Sequence, residues 1–273
     1  MTSINLSIDT PETDNWVKDF LLSKNIILTE VEGYSVKDEI VTGIFERRIS
    51  SVPIDELLTF DGEFIKNLLI KDDSLEDIKW RNRIILANKL KVPLYVIIWY
   101  DNQDRFLIQQ WNKSGEFSLA KSYIIDSCKK ISIWFSDFKG IPVTKRFVER
   151  SRLGFLDTCL RRNGVPWPGN LDGFIIENNS IKCLFEFSRT TKNKVKDHDI
   201  SKFFKQDYNR WKVLDVLKKI TGAPTYIILW ASYDDQIWLK KVGNFDFSNS
   251  QIVYAEQQLL NKDEIEEIFK KRY

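Results

Sequence analysis

The amino-acid sequence predicts an α/β protein made of two tandem domains, each a mixed β-sheet flanked by helices. Three observations support this fold class: an internal repeat, helix-period segments that alternate with strand-period segments, and a composition typical of globular proteins. Hydrophobic residues make up 43% of the 273 residues and charged residues 29%, which excludes a disordered chain. Because the net charge is only +2, any surface that binds nucleic acid has to be local.

The internal repeat aligns residues 80–108 with residues 211–239 without a gap. The identical pairs are Trp80/Trp211, Leu86/Leu217, Pro93/Pro224, Tyr95/Tyr226, Ile97/Ile228, Trp99/Trp230 and Asp104/Asp235. Upstream, residues 31–50 align with residues 171–190. Unrelated helix–strand units also share apolar patterns, but tryptophans and acids that match at one spacing favour a duplication. We therefore expect domains at residues 1–137 and 141–273, with a linker near 136–143.

Each repeat is predicted to open with a helix, followed by a two-stranded hairpin. In the first repeat the helix begins at Thr10 and places Trp16 and Leu21 on one apolar face. In the second repeat the helix begins near Thr144 and ends at Gly164.

A long amphipathic helix, a buried strand, a further strand and a final helix complete each repeat. The long helix of the first repeat starts at the capping box 74–77, with the sequence SLED. Its counterpart carries apolar side chains from Ile200 to Leu217 and ends at Gly222. The runs LYVIIWY and TYIILWA that follow are typical of strands covered on both faces.

Acidic residues recur in the two hairpins. The strand KCLFEFSR is largely apolar on both faces, so an ionised Glu186 within it is unfavourable unless it is paired or binds a metal. A three-residue loop at 178–180 would place Asp172 directly across from Glu186 on the same face, whereas a two-residue loop would place them on opposite faces. Glu32 and Glu46 repeat this pattern around residues 38–40. A divalent cation between two such carboxylates would offset both their repulsion and their burial.

The acidic hairpin resembles the core of the PD-(D/E)XK, or restriction-endonuclease-like, nucleases. That core contains a helix, a strand with Asp, a strand with E-x-K, a helix and a strand; here PGNLDGFI contains Asp172 and FEFSR contains Glu186. The resemblance covers residues 15–110 and 147–242. It implies two restriction-endonuclease-like domains and a Mg²⁺ (or Mn²⁺) ion held by Asp172, Glu186 and the carbonyl of Phe187. Such an ion would polarise a phosphodiester of DNA and activate a water molecule.

The sequence departs from the family at the lysine of the motif. Ser188 holds that position in the second repeat and Arg48 in the first, where Glu32 also replaces the usual aspartate. The resemblance therefore implies a catalytic site at Asp172, Glu186 and Ser188, and a degenerate site at Glu32, Glu46 and Arg48. Candidates for a relocated cation are Lys192, Lys202 and Lys205, of which Lys205 is expected on the helix that packs beside the site.

Basic residues crowd the end of the strand that contains Glu186. Candidate phosphate contacts are Arg189, Lys192, Lys194, Lys196 and, elsewhere, Arg161, Arg162, Lys205 and Arg210. A solvated lysine-rich loop explains the same run equally well. The leading interpretation is a metal-dependent DNA endonuclease, and the alternative is a non-catalytic nucleic-acid-binding or interaction protein that retains the nuclease fold. The missing lysine favours the alternative, and the retained acids favour the nuclease.

Other sequence features bear on the cellular compartment, the metal ligands and the cofactors of the protein. Three cysteines, Cys128, Cys159 and Cys183, lack metal-site spacing, and we expect them to be reduced in a cytoplasmic protein. The first residues do not resemble a signal peptide, and no apolar stretch is long enough to suggest a membrane partner. A single histidine, His198, excludes a histidine-based metal site. The sequence contains no Gly-rich phosphate-binding loop, so we expect no nucleotide cofactor.

Overall fold

The computed structural model describes residues 4–7, 15–70, 74–101, 103–111, 119–138, 154–165, 167–191, 194–197 and 200–272. In chain order the strands and α-helices are β1 (Leu6–Ser7), α1 (Trp16–Ser23), β2 (Thr29–Lys37), β3 (Ile40–Ser50), α2 (Ile54–Leu57), α3 (Gly62–Ile70), α4 (Ser74–Leu90), β4 (Leu94–Tyr100), β5 (Phe106–Trp111), β6 (Leu119–Ile125), α5 (Cys128–Asp137), α6 (Phe155–Arg162), β7 (Gly169–Glu177), β8 (Ser180–Arg189), α7 (Tyr208–Thr221), β9 (Thr225–Trp230), β10 (Ile237–Asp246), β11 (Gln251–Leu260) and α8 (Lys262–Arg272). The predicted α/β class with a mixed sheet is confirmed. No helix in the described part is long and apolar enough to cross a lipid bilayer.

Two compact units divide the chain. The first contains Met1–Glu12 and Val31–Asn170, and the second contains Thr13–Glu30 and Leu171–Tyr273. Strands of the first unit follow the order β2-β3-β4-β5-β6, with β1 beside β3, and strands of the second follow β7-β8-β9-β10-β11. The pairs β3/β4 and β8/β9 are parallel, whereas β2/β3, β4/β5, β7/β8 and β9/β10 are antiparallel. Hairpin, helix and parallel strand therefore occur in the same order in both units.

The parallel pairs require a crossover helix, which is α4 in the first unit and α7 in the second. Both helices bury a tryptophan, Trp80 at 0% exposure and Trp211 at 1%. Helix α7 ends at Gly222, as predicted, with a left-handed backbone (φ 66°). It begins at Tyr208 rather than near Ile200, because residues 200–203 form a 3-10 turn instead of the first turns of the predicted helix.

The opening helices lie in the opposite units from their own repeats. Val17 and Leu21 of α1 pack with Phe185 in the core of the second unit, and Leu156 of α6 packs with Phe45 in the core of the first. The compact units therefore differ from the expected domains 1–137 and 141–273 in where these two helices belong.

Several predicted boundaries shift or lie outside the described residues. Helix α1 has Asn15 as its N-cap, whose side chain accepts a hydrogen bond from Val17 N; the predicted starts at Thr10 and Thr144 lie outside the described residues. Helix α5 continues to Asp137, so the start of the predicted linker is helical, and the rest of that linker beyond Phe138 is not described.

Candidate functional site

Each hairpin turns through two residues with left-handed backbones. The turns are Asp38-Glu39 and Asn178-Asn179, with φ values between 50° and 61°. Such values at both central positions are those of the tight turn that suits the strand twist. The three-residue loops predicted at 38–40 and 178–180 are therefore wrong.

A β-bulge restores the register that the longer loops would have produced. In the second unit the pairing shifts by one residue next to Ile175, so that Gly173 lies opposite Phe185. This register keeps Asp172 beside Glu186. The first hairpin has the same shift between Ser35 and Val36. The predicted neighbourhood of the acids is thus present, although it arises from a short turn and a bulge.

Asp172 and Glu186, here called the second acid pair, share one arginine. Nη2 of Arg210 lies 3.2 Å from Oδ2 of Asp172 and also contacts Oε1 of Glu186. The backbone N–H of Phe187 donates to Oδ2 of Asp172 over 2.9 Å. Glu186 is 1% exposed, whereas the Arg210 side chain is 31% exposed. Both carboxylates therefore lie on one face of the sheet, and their cation reaches them from the solvent side.

Glu32 and Glu46, here called the first acid pair, are surrounded by arginines. Nη1 of Arg48 lies 3.0 Å from Oε1 of Glu32 and 3.7 Å from Oε2 of Glu46, and it also donates to the carbonyl oxygen of Arg47. Nε of Arg83 lies 3.2 Å from Oε1 of Glu46. The backbone N–H of Arg47 donates to Oε2 of Glu32 over 2.7 Å, which is the counterpart of the backbone bond in the second pair.

Burial dominates the electrostatics of the first acid pair. Glu46 is 0% exposed, Arg48 3% and Arg83 5%. Loss of hydration raises the pKa of Glu46 to about 7, against the opposing effect of the two arginines and with a further rise from the nearby Glu32 carboxylate. The proton affinity of this carboxylate is therefore set by its removal from water more than by its cations.

The first acid pair does not fit a metal ion. The Arg48 guanidinium lies among the side-chain oxygens of Glu32 and Glu46 and the carbonyl oxygen of Arg47. In the repeat these oxygens correspond to those of Asp172, Glu186 and the Phe187 carbonyl, which the family resemblance implies as metal ligands. Since Arg48 is itself buried, a fixed cation fills the space that a metal would need.

The second acid pair does fit a divalent cation. Carboxylate oxygens are the donors that Mg²⁺ and Mn²⁺ favour. Oε1 of Glu186 is buried and contacts Nη2 of Arg210. Because the Arg210 side chain is partly exposed, its guanidinium can move away from the acids into solvent.

Ser188 and the candidates for a relocated cation belong to different segments of the chain. Ser188 follows Glu186 by two positions in β8, so it lies on the same strand face, half-buried. Lys205 is exposed in the turn before α7, which corrects its expected position on the helix, because the helix begins only at Tyr208. Lys202 is exposed, and Lys192 lies outside the described residues.

Among the described residues, the predicted phosphate contacts lie on several different elements. Arg189 donates to Ser232 Oγ over 2.9 Å and lies over the ring of Trp230. The other candidates are exposed, and they are Lys194, Lys196, Arg161 and Arg162. Arg161 and Arg162 belong to helix α6 of the first unit. Of the described basic residues predicted to bind phosphate, Arg210 contacts the second acid pair.

Sequence reasoning did not identify Arg83 as a partner of Glu46, nor Arg210 as the partner of Glu186. Arg83 lies three residues after the buried Trp80 on α4, so helical periodicity placed both on one face and could have identified it. Arg210 directly precedes Trp211 in α7, and no periodicity indicates which strand residue its long side chain reaches.

The cysteines differ from the expectation of three reduced thiols. Cys128 of α5 and Cys159 of α6 form a disulfide, with Cα atoms 5.1 Å apart, while Cys183 is buried and is not part of a disulfide. Helix α6 packs in the same unit as α5, and this proximity cannot be read from a separation of 31 residues. Together with Asp104, the two cysteines form the one group of three possible metal ligands in the described residues.

Comparison with protein families and with curated proteins finds no match. Among solved structures, the chain matches one titled "Crystal structure of Sex pheromone staph-cAM373 precursor". The identity is 12% over 95% of this chain and 84% of the other, and the TM-score is 0.14. A similarity this low carries no argument about fold or function.

Proposed function

We propose that the protein is a Mg²⁺-dependent (or Mn²⁺-dependent) endonuclease that hydrolyses phosphodiester bonds of DNA. In this proposal both units are restriction-endonuclease-like domains, the second is catalytic, and the first supports the structure or positions DNA. The observation that carries it is the second acid pair, in which two carboxylates on adjacent strands share one partly exposed cation.

Each residue of the proposed site has a role that its surroundings support. Asp172 and Glu186 would hold the metal, with the carbonyl of Phe187 as the third donor implied by the family resemblance. Phe187 N–H orients the Asp172 carboxylate, and the apolar strand keeps Glu186 away from bulk water. When bound, a divalent ion would polarise the phosphodiester and lower the pKa of an attacking water.

Arg210 supplies the charge balance of the proposed site. With no metal, its guanidinium contacts both carboxylates and offsets part of their negative charge. Once displaced from the acids, the same guanidinium would remain near the metal and could contact a phosphate oxygen of DNA. Ser188 on the same strand face would then replace the motif lysine only as a hydrogen-bonding group, since it carries no charge.

The decisive experiment is cleavage of supercoiled plasmid DNA by the full chain with Mg²⁺ or Mn²⁺, and with EDTA as a control. We expect metal-dependent nicking that falls by about a hundredfold or more in Glu186→Gln, because a metal ligand is lost at nearly constant volume. The matched variant Glu46→Gln should keep most of the activity, since Arg48 already excludes a metal there. Absence of cleavage by the wild-type chain, or equal cleavage by Glu186→Gln, would refute the proposal.

A second candidate function is a non-catalytic nucleic-acid-binding or interaction protein that retains the nuclease fold. One observation favours it: both acid pairs contact a guanidinium, so each has a cation that could serve as a permanent substitute for a metal. Mn²⁺ binding to the full chain, measured by electron paramagnetic resonance, distinguishes the two. The nuclease proposal expects binding that Glu186→Gln removes and that Arg210→Met strengthens by about tenfold, because a competing cation is removed. A wild-type chain that binds no Mn²⁺ would favour the non-catalytic function.

A further inference from the structure

The first unit brings two cysteines and an aspartate to one place. Cys128 is the first residue of α5, Cys159 lies on α6, and Asp104 lies in the segment between β4 and β5. One ligand atom from each of the three lies within 4.8 Å of the others. Cys159 is 2% exposed, Cys128 is half-buried and Asp104 is exposed. The cluster is therefore anchored in the core and open on one side.

The chemistry of this cluster depends on its oxidation state. As a disulfide, the two sulfurs carry no charge and are poor metal ligands. Reduction by a dithiol breaks the S–S bond, gives two protein thiols and oxidises the reductant to its own disulfide. Two thiols beside a carboxylate then form a donor set of two sulfurs and one oxygen.

That donor set suits Zn²⁺. Thiolate sulfur binds Zn²⁺ at about 2.3 Å and carboxylate oxygen at about 2.0–2.2 Å, in a tetrahedral arrangement whose fourth position can hold water. Ligand atoms of such a site are about 3.5–3.8 Å apart, which lies within the 4.8 Å span of the cluster. After reduction the two sulfurs, which are bonded to each other in the disulfide, have to separate to reach this spacing, and rotation about the Cα–Cβ bonds of the two cysteines provides such a movement.

The second unit provides an internal comparison, because the positions that match Cys128 and Cys159 are not cysteines there. Asp235 aligns with Asp104 in the repeat. Lys262 is the first residue of α8, where Cys128 is the first of α5, and Phe20 is the fifth residue of α1, where Cys159 is the fifth of α6. The aspartate is thus present in both units. The two cysteines are present at these positions in the first unit, and Lys262 and Phe20 replace them in the second.

We propose that Cys128, Cys159 and Asp104 of the reduced chain bind one Zn²⁺ ion, and that the disulfide is the metal-free form of the same site. On binding, the two thiols release two protons to water, and the resulting thiolates and the carboxylate bond to the ion. This site does not depend on the acid pairs or on the proposed nuclease activity.

The test uses the full chain, reduced with a phosphine that is removed under nitrogen, and compared with the oxidised chain. Titration with Co²⁺, read by thiolate-to-cobalt absorption, and competition by Zn²⁺ should show one equivalent bound to the reduced chain and none to the oxidised chain. Lack of the absorption in the reduced wild type, or equal metal binding by both forms, would overturn the proposal without reference to any variant.

Matched variants then assign the ligands. Cys159→Ser should abolish the cobalt–thiolate band of the two-sulfur site, and Asp104→Asn should weaken Zn²⁺ binding by at least about tenfold. Asp235→Asn should leave the affinity unchanged, because no cysteine occupies the matching positions. Equal affinities for Asp104→Asn and Asp235→Asn would contradict the assignment of Asp104. Circular dichroism of each reduced variant confirms that it is folded.

Discussion

The two acid pairs share strand positions, turns and bulge, yet they differ in the cations around them. Around the first pair lie Arg47, Arg48 and Arg83, which are 2%, 3% and 5% exposed. Around the second pair lies Arg210, whose side chain is 31% exposed. A buried arginine is a fixed part of the core, whereas a partly exposed arginine can exchange places with another cation. The same backbone can therefore hold a closed charge cluster in one unit and a partly exposed one in the other.

The comparison also shows that retained acids do not by themselves indicate a metal site. Glu46 occupies the same strand position as Glu186 and is at least as deeply buried. One difference between the pairs is the residue two positions after the glutamate, which is Arg48 in the first unit and Ser188 in the second. An arginine there reaches back to both carboxylates, and a serine leaves that space to a residue from another element.

The largest expected difference is in stability after loss of an arginine. At pH 7.5, Arg83→Met should destabilise the protein by about 3–5 kcal/mol, because it removes a partner from a carboxylate that is fully buried. Arg210→Met should cost less, about 1–2 kcal/mol, because the guanidinium is partly exposed and water can enter the space that it leaves beside the buried Glu186. Urea unfolding of both variants measures the difference. Equal losses would mean that Arg210 is as integral to the fold as Arg83.

A smaller effect is expected from pH. Glu46 binds its proton more tightly in the folded protein, with a pKa of about 7, than the ordinary value of 4.5. Stability from this group is therefore fully present below about pH 4.5 and is lost as the pH rises through about 7, by up to about 3 kcal/mol. In urea unfolding between pH 5 and pH 8, Glu46→Gln should remove this decline.

The control for the pH experiment is Glu63→Gln, which changes a glutamate with a 66% exposed side chain. It should leave the pH dependence of the wild type unchanged. A decline that persists in Glu46→Gln would show that another group titrates in this range.

The smallest expected effect concerns the end of the crossover helix, where the repeats have different residues. Gly222 has φ 66°, and its counterpart Lys91 has φ 59°. Left-handed backbone favours glycine, so Lys91→Gly should stabilise the protein by up to about 1 kcal/mol and Gly222→Ala should destabilise it by a similar amount. Thermal unfolding of the two variants should give shifts of opposite sign, and shifts of the same sign would contradict the proposed equivalence of the two helix ends.

Local sequence patterns were sufficient to predict the order of helices and strands and the positions of the buried acids. The apolar residues on both faces of KCLFEFSR identified Glu186 as a buried acid, and Gly222 marked a helix end, because both signals depend on residues that are near one another in the chain. The register of the hairpin was inferred correctly for Asp172 through an incorrect loop length, since a bulge compensated for the shorter turn. The bulge itself leaves no mark in the apolar pattern.

The sequence by itself determined the repeat, the mixed α/β class and the identity of the acids. Only the tertiary structure decided that α1 packs in the second unit and α6 in the first, that Arg210 reaches Asp172 and Glu186, and that Cys128 meets Cys159. The physical reason is the distance along the chain over which each signal acts. Periodicity specifies which face of an element is apolar, but any apolar face of suitable shape can cover it. The choice of partner depends on how long side chains and helices from distant segments pack together.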